Sequence, residues 1–121
     1  MSYNLEVIAQ EGYIRVTATT DINRTIAAQM ADETTRRLKA ENLEAALIDV
    51  RSRRNVEFAS QNYHFANADV PALSLRKTDR IAVLADPDDD SHDFIEIVMR
   101  NTGYNLRIFR DEEEALAWLK I

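Results

Sequence analysis

At 121 residues, 45% hydrophobic and 30% charged, the chain has the size of one domain and enough apolar mass to build its own core. It contains no cysteine, which excludes thiolate catalysis, zinc–thiolate sites and iron–sulfur clusters. A formal net charge of −6 argues against a phosphate backbone as partner, so no nucleic-acid binding is expected.

The opening MSYNLEVIAQEG has no basic run ahead of an apolar core and no small-residue cleavage site. Apolar runs such as 81–85 fall far short of the ~20 residues of a bilayer span, so a cytoplasmic, non-integral protein is expected. Leu5, Val7 and Ala9 alternate with Glu6, Ile8 and Gln10, and Glu11-Gly12 is a turn signal. Ile14, Val16 and Ala18 then alternate with Tyr13, Arg15, Thr17 and Thr19, which predicts an antiparallel hairpin. Asp21 is the expected N-cap of a long helix over 22–41, where Ile22, Ile26, Met30, Thr34 and Leu38 recur at every fourth position.

The apolar run 45–50 predicts an interior strand, 56–68 a second helix stopped by Pro71, and 80–85 a strand broken by Asp86-Pro87. Ser91 or Asp90 is expected to cap a third helix reaching Thr102, with Gly103 at its C′ position. A strand over 105–110 follows. Asp111 and Glu114 then have capping-box spacing at the start of a last helix carrying Ala115, Leu116, Trp118 and Leu119.

The order ββαβαβαβα predicts an α/β fold in one domain, 1–121: a five-stranded mixed sheet, antiparallel hairpin first and parallel strands after it, with four helices. The first, second and fifth strands alternate cleanly, so each has one wet face and the helices are expected mainly on one side. Leu47 with Ile48, and Val83 with Leu84, send apolar side chains to both faces. Either loops cover the far side there, or it is a bare apolar strip suited to a homodimer interface.

This outline resembles the STAS superfamily, and within it the SpoIIAA-like family, often described together with SEC14-type lipid-binding domains. The resemblance rests on the strands Ala45-Ala46-Leu47-Ile48-Asp49-Val50-Arg51 and Arg80-Ile81-Ala82-Val83-Leu84, and on the closing run from Leu106 to Leu119. It implies a STAS/SpoIIAA-like module, in a branch for which the roles proposed centre on apolar-ligand or membrane association. In the wider superfamily a kinase phosphorylates a serine in an Asp-Ser/Thr-Ser-Gly signature after the third strand. Here that stretch reads Asp49-Val50-Arg51-Ser52-Arg53-Arg54-Asn55, so the glycine is missing and Ser52 is the one hydroxyl left to carry a phosphate.

In parallel sheets, ligands sit at the C-terminal ends of strands. Two loops belong at that edge. The basic one, Arg51, Ser52, Arg53 and Arg54, is a candidate for holding an anion or headgroup; alternatively, its arginines pair with the acidic loop 86–93. The acidic loop fails as an EF-hand, because Ser91 replaces the turn glycine and Ile97 the bidentate glutamate. His64 is expected in packing or at the surface, and His92 in solvent as a weakly paired cation. A receiver-type phosphoacceptor role for Asp49 fails for want of an acidic pair after the first strand.

The second and third helices carry more apolar surface than one buried stripe needs, either covered by 70–75 or forming a cleft. Phe58, Tyr63, Phe65, Phe94, Ile95, Val98 and Met99 are the candidate cleft residues. No catalytic residue, metal ligand or cofactor is assigned. The sequence therefore predicts a non-enzymatic interaction or regulatory module with a protein partner, expected to be a homodimer. The alternative is a small carrier or sensor of a lipid or other apolar small molecule, with association at a membrane surface.

Overall fold

A computed structural model describes residues 2–120. Strands β1 (Tyr3–Ile8) and β2 (Tyr13–Ala18) form the antiparallel hairpin, linked by a 3-10 turn at Ala9–Glu11. Gly12 closes that turn at φ 77°, a left-handed conformation that costs glycine nothing sterically. Helix α1 (Arg24–Glu41) leads to β3 (Ala45–Asp49). Helix α2 (Ala59–His64) runs on into a π-helical turn (Phe65–Asp69) and a 3-10 turn (Val70–Ala72). Then come β4 (Arg80–Leu84), α3 (Asp93–Asn101), β5 (Asn105–Phe109) and α4 (Glu112–Leu119). The sheet order is β1-β2-β3-β4-β5, parallel from β2 onward, which is the predicted mixed sheet.

Strand alternation sorts the side chains into two cores. On one face the cross-strand rows Ile14–Ala46–Ile81–Leu106 and Val16–Ile48–Val83–Ile108 lie beneath α1, the α2–π segment and α3. Tyr3 ties β1 to α1 by donating its hydroxyl hydrogen to Glu33 Oε1 at 2.5 Å, and its phenol pKa is pushed up to about 12 by burial and that bond. On the other face Ala45, Leu47, Ala82 and Leu84 pack against Ala115 and Leu119 of α4. Three helices therefore share one side, and the far side of β3 and β4 is neither bare nor covered by loops. The short turn after edge strand β5 reverses α4 across it. Phe109 and Trp118 meet there with ring centroids 5.5 Å apart, and Arg80 donates to the Leu119 carbonyl at 2.7 Å.

Several element ends differ from the sequence reading, each for a local reason. Ile22 is not helical, because it pairs in parallel with Asn55: its N–H donates to the Arg54 carbonyl at 2.8 Å. Asn23 consequently caps α1, its Oδ1 accepting from the Ile26 N–H at 2.8 Å, while Asp21 accepts from the Arg54 N–H. The second helix starts at Ala59, since Phe58 before it is extended. Pro71 does not end the helical path but sits at the start of the 3-10 turn, where a missing N–H is harmless. Neither Ser91 nor Asp90 caps α3. His92 holds that position, and the Ser91 hydroxyl accepts instead from the Asn55 N–H. Asp111 takes the N-cap position of α4 without a side-chain cap bond, so the expected capping box does not form. Gly103 does occupy C′, at φ 94°, with Gly103 and Tyr104 N–H groups donating to Arg100 and Met99 carbonyls in a Schellman pattern.

Candidate functional site

Under the three-helix side lies a cavity of about 130 Å³. Its floor is the middle of the parallel strands, with Ile48, Ile81, Val83 and Leu106, and it reaches Val50 just past the end of β3; α1 supplies Ala27, Met30, Ala31 and Thr34; Ile95 and Met99 come from α3. Phe65 and Val70 close the remaining side. The π turn brings these two together, because the Val70 N–H bonds back to the Phe65 carbonyl and sets them one wide turn apart. Ile48 explains why the space exists. It stands between Val16 and Val83 in the middle of the sheet yet stays partly exposed, so the side chains above it stop short of filling the layer.

The rim is polar and internally satisfied. Arg24 donates to both Asp69 carboxylate oxygens, at 2.8 and 3.0 Å, and to Gln61 at 3.1 Å, which fastens the π turn to the start of α1. That guanidinium holds the Asp69 carboxyl below the usual range. Asn55 donates to Asn62 Oδ1 at 2.9 Å. Inside, Thr35 returns its hydroxyl to the Ala31 carbonyl at 2.7 Å. Thr34 differs: it is 4% exposed, and its Oγ1 is the buried side-chain polar atom among the described residues that has no hydrogen-bond partner.

Of the sequence-predicted cleft residues, Phe65, Ile95 and Met99 line the cavity. Phe58, Tyr63 and Phe94 point outward, being 81%, 54% and 38% exposed, and Val98 is buried away from the lining. Sequence reasoning looked between the second and third helices and missed the contribution of α1. The available signal was Thr34, a hydroxyl placed on an otherwise apolar stripe. His92 corrects another expectation. It is buried at 4% exposure and lines the cavity, with Nε2 2.9 Å from the Arg53 carbonyl, because the acidic loop folds back onto the basic one.

The basic loop is split between two sets of partners. Arg51 bonds Asp49 at 2.7 Å and Glu112 at 3.1 Å, and Arg15 reaches the same two carboxylates from β2 at 2.9 and 3.1 Å. Burial works to raise the Asp49 pKa, but the bonds and charges of Arg51 and Arg15 outweigh it and hold the group below its ordinary value. The Arg15 bond likewise depresses Glu112. Ser52 is exposed at φ 64°, with its N–H donating to the Asp86 carboxylate at 2.6 Å, and Arg54 pairs with Asp89 at 3.4 Å. Asp93 meets Arg110 at 2.9 Å, so Asp86, Asp89 and Asp93 of the acidic loop each serve separate donors.

The SpoIIAA-like family model matches residues 13–120. No curated protein matches the chain. Among solved structures, the chain is similar to an uncharacterized protein with a SpoIIAA-like fold from Shewanella loihica. The two share 19% identity and a TM-score of 0.57, over 97% of this chain and 91% of that one. With the family model running from the hairpin's second strand to the end of α4, the chain belongs to the SpoIIAA-like family and is a STAS-type module.

Proposed function

We propose that this protein is a non-enzymatic sensor or carrier that takes an apolar small molecule into the cavity beneath α1, the π turn and α3. The observation that carries the reading is the unfilled apolar space against Ile48 and Val83, which lies over the middle of the parallel strands and extends to Val50, toward the edge where α/β sheets hold ligands. The π turn supports it, since such turns collect at functional sites. The Arg24–Asp69 pair ties the π turn to the start of α1 at the rim of this space. Mass spectrometry of organic extracts from the purified protein, paired with thermal shifts against apolar compounds, tests the reading. We expect a bound or stabilising apolar compound, and loss of the shift in Ala31→Leu, which fills the space from α1. Clean extracts and no shift with any compound would overturn it.

A second reading, protein contact, has its own support. Val56, Phe58, Tyr63 and Ile97 are all more than half exposed, an apolar surface beside the α2–α3 contact. A protein partner, or a second copy of the chain, covers it in this reading, and a membrane surface is the further candidate. Arg51, Ser52, Arg53 and Arg54 would then act as an anion-holding edge. Against that role, Arg51 is already committed to Asp49 and Glu112, and the Asp86 carboxylate stands beside the Ser52 position where a phosphate would go.

A further inference from the structure

We infer that the cavity selects a neutral, ring-sized molecule with a single hydrogen-bonding group, such as a small phenol or cyclic alcohol, and that the Thr34 hydroxyl anchors that group. The inference rests on the apolar-ligand reading above and deepens it. Size sets the first limit. A cavity of about 150 Å³ lined by aliphatic and aromatic side chains takes up benzene, and the space here is about 130 Å³. It holds one ring, whereas the acyl chain of a membrane lipid exceeds the space and would have to run out through the rim.

Charge sets the second limit. The guanidinium on the lining, Arg24, is engaged by Asp69 and Gln61, and the His92 ring meets the Arg53 carbonyl at 2.9 Å and the Asp89 carboxylate at 3.5 Å, so a carboxylate entering the cavity finds no cationic lining group among the described residues that lacks a partner. Polarity sets the third. The lining polar residues Asn23, Arg24, Asn55, Asn62, His92 and Thr35 all have partners, whereas Thr34 Oγ1 has none. A hydroxyl can donate and accept, which suits a phenol, an alcohol or a ketone equally. An apolar residue of the same shape there would spare the fold an unsatisfied buried group, so the threonine makes most sense when a ligand completes it.

NMR titration of the amide signals with benzene, phenol and decanoate tests this on the intact protein, Thr34→Val and Thr34→Ser. We expect saturable shifts centred on Ala27, Met30, Ile48 and Val83 with benzene and phenol, and none with decanoate. In Thr34→Val benzene binding persists, the melting temperature holds or rises, and the phenol-to-benzene affinity ratio falls about three- to tenfold; Thr34→Ser keeps the wild-type ratio. An unchanged ratio in Thr34→Val overturns the anchor. Binding of decanoate without benzene or phenol overturns the size and charge limits while leaving the apolar-ligand reading standing. No response to any of the three, with an apolar compound still recovered in extracts, likewise overturns this inference alone; clean extracts as well would remove both.

Discussion

At Asp49 four hydrogen bonds converge: one from Arg15 and three from the backbone and guanidinium of Arg51. The residue ends β3 on the α4 face, and Glu112 brings the start of α4 onto the same two arginines. The four side chains thus lock α4 to the sheet at the edge where the strands finish. Asp49→Asn leaves the partly buried Arg15 and the exposed Arg51 short of a charge; solvent screens the second, so we expect a loss of about 1–2 kcal/mol in urea denaturation. The pH dependence has a definite sign. A carboxylate whose folded-state pKa is depressed binds fewer protons when folded, so its stabilisation is complete above about pH 4 and fades as the pH falls through the folded value. The wild type should therefore lose stability steeply below about pH 4, and Asp49→Asn less steeply. Equal slopes would place the acid sensitivity elsewhere.

Helix α1 illustrates how an element's ends escape a reading of periodicity alone. The four-residue repeat places its apolar stripe correctly, with Met30 and Leu38 buried, but that repeat begins at Ile22, which belongs to a bridge with Asn55. Asn55 is remote in sequence, so nothing local marks Ile22 as extended. The first helical residue and the cap shift together, from Asp21 to Asn23. Asn23→Ala should cost about 1 kcal/mol by removing the acceptor for the Ile26 N–H, measured by chemical denaturation; a neutral result would mean the cap contributes nothing. The π turn was equally invisible. Phe65, Ala66 and Val70 are all buried, a spacing that fits an i→i+5 bond better than the 3.6-residue period used to read the segment.

Across the whole molecule, one sheet serves two cores, and the single tryptophan, Trp118, reports on the smaller of them. Leu47 and Ile48 are neighbours on one strand yet belong to opposite layers, so neither layer can separate without disturbing the strands that both use. Thermal unfolding followed by Trp118 fluorescence and by far-ultraviolet circular dichroism should therefore coincide, the second signal being dominated by α1. Two separate midpoints would mean that α4 melts independently of the three-helix side. Among the described residues, no helix is long and apolar enough to cross a membrane.

Strand number, strand order and the parallel connections were legible in the chain because alternation, helical period and turn residues are short-range properties. So was the apolar surplus along 56–66 and on α3, although not its division between Phe65 facing in and Phe58 facing out. Which side α4 covers depends on how a brief turn after Phe109 swings the helix, and that is settled by the packing available to Ala115 and Leu119. The cavity is likewise a product of packing. It arises where side chains from α1, α3 and the π turn fail to meet over Ile48; a gap between distant segments cannot be read from any one of them, and its one local mark is the Thr34 hydroxyl on the apolar stripe of α1.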